Sequence, residues 1–333
     1  MSVAVVIPTL AADSAFADCL RSLALQSCRD FEVIVVDNSG VERVRRSNLI
    51  HFAVRVIENK ENAGFGAAVN QAIRMSRTPF IATLNDDAVA HPEWLAALLR
   101  AAHSNPDAGM WASQVRLSPK GCLDSAGMLI SRDGSSKQRG HLAPPERFAN
   151  QEEVLCPSGS AALYRRRMLD EIGTFDESFF LYCEDTDLGL RARRAGWRCL
   201  YVPDAIVDHR YSHSAGRASA LKAYYVERNR LFLVVKNFPL RQALAVPLVS
   251  ITRYFWHVVS ILRRQGAAAE FSNGGSALPL LWFVMKAHLA TFFRLGALLL
   301  KRRGIQKRAR MSEAEFAELL RQHSITAKQV ALL

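Results

Sequence analysis

The chain has 333 residues, half of them hydrophobic, and a formal net charge of +12. That length and apolar content exclude a disordered or fibrous protein and allow one large domain with a full core plus an appendage. The charge raises nucleic acid as a partner, but its distribution argues against one: between Leu240 and Arg310 twelve Lys or Arg stand against a single acid, Glu270, and the remainder is nearly neutral.

Six cysteines (Cys19, Cys28, Cys122, Cys156, Cys183, Cys199) form no CxxC pair, and no signal-peptide pattern precedes the apolar run that begins at Val3. The expectation is a cytosolic chain with reduced thiols. Val3 to Ile7 predicts a strand ending in Pro8-Thr9, followed by a helix through Leu20 and Leu25 and a second strand at Phe31 to Val36. A third strand near Val54 to Ile57, a helix from about Gly66 to Met75 and a fourth strand at Phe80 to Leu84 continue the alternation. Continuous apolar runs alternating with helices predict an α/β fold with a mostly parallel sheet.

In such sheets ligands bind beyond the carboxyl ends of the strands. Those ends carry Pro8-Thr9, Asp37-Asn38-Ser39 and Asn85-Asp86-Asp87. Asp37 fits either an acceptor for a ribose hydroxyl or pyrimidine imide, or an Asx-turn. Asn62-Ala63-Gly64-Phe65-Gly66 precedes a helix, and its glycines allow a backbone to approach phosphate oxygens. Two acids at a strand end, Asp86 and Asp87, suit Mg2+ or Mn2+ bridging a diphosphate, or else cap the helix starting near Pro92-Glu93-Trp94.

Gly121 to Asn150, with Gly134-Ser135-Ser136 and Pro144-Pro145, reads as a hairpin and loops, a common home of binding specificity. Ser158-Gly159-Ser160 reads as a turn. Then come three carboxylates in four residues, Glu184, Asp185 and Asp187, before a helix predicted from Thr186 to Ala195 and closed by Gly196. A helix N-terminus favours negative charge there, so an ionised general base is one reading. Capping and pairing with Arg191 or Arg193 is the other.

Further on, Ser250, Arg253, His257, Ser260 and Arg264 recur at helical spacing opposite Leu248, Ile251, Phe255 and Leu262. A second apolar segment, Leu278 to Leu300, carries Lys286 and Arg294 and ends in Lys301-Arg302-Arg303. These segments predict helices lying on an anionic membrane surface. A packed helical subdomain and spanning helices stay open. From Met311 onward a terminal helix is expected. The predicted organisation is a first domain over 1–235, basic amphipathic helices over 236–310 and the terminal helix over 311–333.

Val6-Ile7-Pro8-Thr9, Val35-Val36-Asp37-Asn38-Ser39, Asn62 to Gly66 with Asn70, Leu84 to Ala88 and Phe175-Asp176-Glu177 lead into Phe180 to Leu188. Ala195-Gly196-Trp197, Val202 to Ala205, His209, Tyr224-Tyr225 and Arg228-Asn229-Arg230 complete a series that resembles the family 2 glycosyltransferases of GT-A fold, within them a rhamnosyltransferase-like branch. The resemblance covers about Val3 to Arg230 and implies that 1–235 is a catalytic domain, with a nucleotide-sugar part over about 1–118 and an acceptor part over about 119–235. It implies that Pro8, Thr9 and Asp37, with Asn62, Gly64 and Asp86, hold the nucleotide-sugar, that Asp87 ends the metal-binding motif, and that Asp185 is the catalytic base. It also implies that His209 is a further ligand for Mg2+ or Mn2+, with Asp208 the expected orienting partner. Asp86 departs from the family pattern, where many relatives have proline, which leaves open whether it touches the metal. Ser158, Gly159, Ser160 and Glu184 are expected near the donor sugar or acceptor.

The implied function is an inverting, metal-dependent transfer of a sugar, L-rhamnose from dTDP-rhamnose in the leading reading, to a lipid-linked or cell-envelope polysaccharide acceptor at the cytoplasmic face of the cell membrane. A UDP-hexose donor is the nearest alternative. A nucleotidyltransferase is disfavoured because Pro8 to Ala12 lacks a basic, Gly-rich phosphate signature. A non-enzymatic membrane or nucleic-acid binder is the reading from another class, with nucleic acid not expected.

Overall fold

A computed structural model describes residues 1–47, 53–210, 220–263 and 278–332. They belong to two compact units: Met1–Met128, Gln138–Phe180 and Trp197–Ser214 form the first, and Leu129–Lys137, Leu181–Gly196 and Ala215–Leu333 the second.

The first unit begins with β1 (Val3–Thr9), α1 (Ser14–Ala24), β2 (Phe31–Asp37), α2 (Arg43–Arg46), β3 (Val54–Glu58), α3 (Phe65–Met75) and β4 (Phe80–Leu84). It continues with β5 (Ala88–Ala90), α4 (Trp94–Ser104), β6 (Ala108–Leu117) and β7 (Leu123–Ser125). A short ribbon of β8 (Met128–Ile130) and β9 (Ser136–Gln138), most of which belongs to the second unit, precedes β10 (Glu152–Glu153), β11 (Ala161–Arg165) and α5 (Arg166–Ile172) in the chain. After α6 (Glu184–Arg194), which belongs to the second unit, β12 (Arg198–His209) closes the sheet of the first. The strand order is β10-β12-β6-β11-β4-β1-β2-β3, with β5 on β12 and β7 on β6.

Pairing is parallel between β1 and β2, β1 and β4, β2 and β3, and β6 and β12, while β11 runs antiparallel to β4 and β6. The expected alternation is therefore present. Val3 to Ile7 and Val33 to Val36 are buried, as continuous apolar strands must be when both faces are covered. Register sets Thr9 opposite Asp37 at the carboxyl ends of β1 and β2. Asp13 caps α1, accepting from the amide of Ala15 at 2.9 Å, so the chain turns away from the sheet edge just after Thr9.

Among the described residues the second unit holds α6, α7 (Ala220–Asn237), α8 (Leu240–Leu262), α9 (Leu278–Arg308), α10 (Glu313–Gln322) and α11 (Ala327–Leu332). Here α7 packs on α9, and α8 on α11. The expected single terminal helix is two short ones, interrupted where Ser324 bridges to Ile130.

Helix α8 is inside out. Its polar stripe, Ser250, Arg253 and Ser260, is buried, while Leu244, Leu248, Ile251, Phe255, Val258 and Leu262 are exposed at spacings of four and three. The cause is a buried ionic network: Arg253 pairs with Asp133 and, at 2.7 Å, with Glu227, which also pairs with Arg230 and accepts from the Tyr254 hydroxyl at 2.6 Å. Two cations and two carboxylates satisfy one another, which makes their burial tolerable. This corrects the expectation that Arg253 is a free surface cation. Arg302 is likewise buried, donating to the carbonyls of Val235 at 3.0 Å and Phe238 at 2.7 Å. Arg264 lies outside the described residues.

Candidate active site

In the first unit, Thr9, Asp86, Asp87 and His209 gather at the carboxyl ends of β1, β4 and β12. The Thr9 hydroxyl donates to Asp86 at 2.6 Å. Burial pushes the Asp86 carboxyl up to about 6, against the Thr9 hydrogen bond and with the repulsion of Asp87. Asp87 does not cap α4, whose N-cap position is Glu93. Its Oδ1 lies 3.1 Å from Nε2 of His209.

The other ring nitrogen of His209, Nδ1, is 2.8 Å from Asp124, and Asn85 Nδ2 lies 3.2 Å from Nε2. Asp124 thus stands where Asp208 was expected. The reason is the pleat: consecutive residues of β12 point to opposite faces, and Asp208 pairs with His91 at 3.0 Å instead. Burial opposes an imidazolium at His209, but the Asp124 and Asp87 carboxylates outweigh it and raise the ring to about 10. With Nδ1 fixed by a carboxylate and Nε2 turned to Asp87, the ring has the arrangement of a metal-ligating histidine whose tautomer is set from outside the coordination sphere. Among the described residues no group of three His, Cys, Asp or Glu gathers as a complete metal cage. The donor set fits an open site in which two protein ligands leave positions for phosphate oxygens and water.

Asp37 forms the Asx-turn, accepting from the amide of Ser39 at 2.9 Å and also from that of Val44 at 2.8 Å. Each carboxylate oxygen retains a second lone pair. Pro8 sits beside Val36 in the β1–β2 register. Asn62 accepts from the amide of Gly64 at 2.9 Å. Gly64 is at φ +85°, and a Cβ there would stand 2.3 Å from the carbonyl oxygen of Phe180. The missing side chain thus makes room for the Phe180 peptide. Ser158 and Ser160 hydroxyls lie 3.0 Å apart, and the Ser160 carbonyl accepts from the amide of Asn85, so the turn buttresses the strand end that carries Asp86 and Asp87.

Asp185 and Glu184 belong to the second unit. Both stand in the first turn of α6, as the sequence predicts, but the helix starts two residues earlier than expected. Tyr182 and Cys183, just before it, have φ of 69° and 66°, conformations that cost a non-glycine residue about 1–3 kcal/mol each. Asn229 of α7 spans this turn, donating to the carbonyls of Leu181 at 2.7 Å and Tyr182 at 2.8 Å. Sequence reasoning placed Asn229 in a motif without giving it a role.

The three acids of the cluster have separate environments. Asp187 is fully buried and neutralised by Arg191 at 2.9 Å and Lys236 at 2.7 Å, with Asn237 donating at 2.8 Å. Burial, then the charge of Asp185, pushes Glu184 well above the ordinary carboxylate range. Asp185 is half-buried, with Oδ1 accepting from the Thr186 amide at 2.6 Å. Of the three acids, Asp187 is the one that pairs with Arg191.

A mixed α/β unit with polar residues at the carboxyl ends of its strands has its ligand site at that edge, and glycosyltransferases of GT-A fold share this architecture. The model of the glycosyltransferase-like family 2 matches residues 1–232, and the chain belongs to that family. It is 33% identical over 232 residues to the N-acetylglucosaminyl-diphospho-decaprenol L-rhamnosyltransferase of Mycobacterium tuberculosis, covering 62% of this chain and 76% of the relative. It is also 37% identical over 104 residues to rhamnosyltransferase WbbL of Escherichia coli, covering 28% of this chain and 39% of that one.

Among solved structures, the mannosyltransferase PcManGT of Pyrobaculum calidifontis, in complex with GDP-Man and Mn2+, superposes with a TM-score of 0.52 at 16% identity over 92% of this chain and 85% of the other. GalNAc-T7 with UDP, GalNAc and Mn2+ gives 0.58 at 14% identity over 88% and 57%. The protein is a glycosyltransferase, and the non-enzymatic reading is set aside.

Proposed function

We propose that the protein is an inverting, metal-dependent transferase that moves L-rhamnose from dTDP-rhamnose to a lipid-linked or cell-envelope polysaccharide acceptor at the cytoplasmic membrane face. The observation that carries the metal part is the Asp87–His209–Asp124 line, a carboxylate and an imidazole converging with the ring fixed from behind. The relatives named rhamnosyltransferases support the donor, and the exposed apolar stripe of α8 supports the membrane.

Asp87 and Nε2 of His209 would hold Mg2+ or Mn2+, which supplies positive charge to a departing nucleoside diphosphate. Asp37, Pro8, Thr9, Asp86, Asn62 and Gly64 shape the nucleotide edge, while Ser158, Gly159 and Ser160 lie toward the sugar. Asp185 accepts the proton of the attacking acceptor hydroxyl, giving a single displacement with inversion. The three acids divide the chemistry among them. Asp187 is neutralised by cations, burial and the charge of Asp185 favour the protonated form of Glu184, and Asp185 at the helix N-terminus is left to take a proton.

Nucleotide-sugar turnover with Asp185→Asn tests the assignment. The expected result is donor binding within about twofold of the parent and turnover lower by about a hundredfold or more. Retained turnover in Asp185→Asn with loss in Glu184→Gln would move the role to Glu184. Running the parent protein with dTDP-rhamnose and a panel of UDP-hexoses decides the donor.

A further inference from the structure

Beside the buried network of α8 stands a cation with no counter-charge. The carboxylates of that network, Asp133 and Glu227, are already matched by Arg253 and Arg230. Lys137 of β9 belongs to the same unit and is half-buried, yet among the described residues it makes no ion pair and no hydrogen bond. Burial, then the charges of Lys222 and Arg253, lowers its ammonium to about 8. A cation kept in such a place is costly until an anion joins it.

On α8, His257 has a donor in want of an acceptor. Nη1 of Arg253 lies 3.3 Å from Nε2 of His257. A guanidinium can only donate, so Nε2 accepts and the neutral ring carries its proton on Nδ1. Burial, then the charges of Arg253 and Lys137, lowers the ring to about 4, so it is neutral at physiological pH. Nδ1 is buried and has no hydrogen-bond partner. One anionic oxygen would satisfy both the ammonium and this N–H.

Position narrows the anion. His257 follows Arg253 by one helical turn, on the stripe of α8 opposite the exposed Ile251, Phe255 and Leu262. The stripe is therefore turned away from the row that would meet lipid. Ser136, next to Lys137, has its hydroxyl 4.0 Å from the sulfur of Cys183, and the Lys222 ammonium lies 5.8 Å from the Tyr182 ring. The ribbon that bears Lys137 thus packs on the turn leading into Asp185. In a lipid-linked sugar acceptor, phosphate joins the lipid to the sugar that bears the attacking hydroxyl, so an anion site belongs in the unit that holds the acid taking its proton.

We propose that Lys137 and the Nδ1–H of His257 together hold a phosphate group of the acceptor, the group that joins its lipid to its sugar. This rests on the reading above that the acceptor is lipid-linked, and it adds the residues that recognise that acceptor. Phospholipid headgroups share the phosphate chemistry, and the half-buried place of Lys137 and His257, away from the exposed apolar row, favours the acceptor over them.

Calorimetric binding of farnesyl diphosphate to the full chain in neutral detergent micelles tests this, with farnesol as the tail-only control. A chelator keeps divalent ions from drawing the diphosphate to Asp87 and His209. Farnesyl diphosphate should bind about tenfold more tightly than farnesol, or better. Lys137→Gln and His257→Phe should each remove most of that difference and leave farnesol binding unchanged. Because Lys137→Gln deletes a desolvated charge that has no partner, its melting temperature should equal or exceed the parent's. A lower one would make Lys137 a structural cation and overturn the proposal, as would undiminished diphosphate binding in either variant. So would displacement of farnesyl diphosphate by phosphatidylglycerol at equal concentration, which would make the pair a headgroup contact. Equal affinity of the parent for farnesol and its diphosphate would remove both the proposal and the lipid-linked reading beneath it, whereas a difference that survives Lys137→Gln would remove the proposal alone.

Discussion

His209 illustrates how much of a site one residue type reveals. Its place in the motif series was legible, as were Asp86 and Asp87 at a strand end. Asp124 was not, because it reaches the ring only through the antiparallel pairing of β7 with β6 and of β12 with β6 in parallel. No local pattern encodes that register. The consequence is a measurable pH linkage. In metal-free protein the ring's folded value, about 10, lies above its ordinary 6.5. The stability it contributes is therefore complete below about pH 6.5 and lost as pH rises through about 10. A metal at Nε2 must displace that proton, so Mn2+ binding at pH 7.5 is expected to release about one proton per ion, and apparent affinity should rise with pH. Calorimetry in buffers of different ionisation enthalpy measures this. Zero proton release in the parent protein, or the same release in His209→Gln, removes His209 from the metal site.

At the scale of elements, the parallel core strands and α3 were read to within a few residues because continuous apolar runs and helical spacing are local signals. The turn leading into α6 was not readable. Tyr182 and Cys183 adopt left-handed backbone against their own preferences, and a conformation imposed by packing leaves no mark in residue type. What holds it is Asn229, fully buried and bonded to two successive carbonyls. Asn229→Ala strands both acceptors and should cost about 1–3 kcal/mol of stability. If the turn sets the aim of Asp185, kcat should also fall by at least tenfold at a temperature where the variant is folded, with KM for the donor unchanged. A stability loss with kcat retained would make Asn229 a fold residue and no positioning group.

For the whole molecule, the decisive feature is that α8 buries its polar stripe and exposes its apolar one. The sequence showed two faces but could not tell which points outward, because the partners of Arg253, Asp133 and Glu227, lie 120 and 26 residues away. In water the exposed row from Leu244 to Leu262, with Trp282, Phe292 and Phe293 on α9, is costly; in a lipid interface it is the stabilising face. Helices Leu240–Leu262 and Leu281–Arg308 are long and apolar enough to cross a membrane by length and composition. The cations at the end of α9 argue for lying on an anionic surface, where Lys301, Arg303 and Lys307 are exposed and each contributes roughly 1 kcal/mol. Replacing those three by glutamine should weaken partitioning into phosphatidylglycerol vesicles on the order of a hundredfold, while dTDP binding stays the same. High salt should release the parent protein only in part, because screening removes the cation attraction and leaves the apolar faces inserted, and detergent should complete the release. Full release by salt alone would mean that the exposed row does not enter lipid, and no salt effect together with no loss in the glutamine variant would favour helices that span the bilayer.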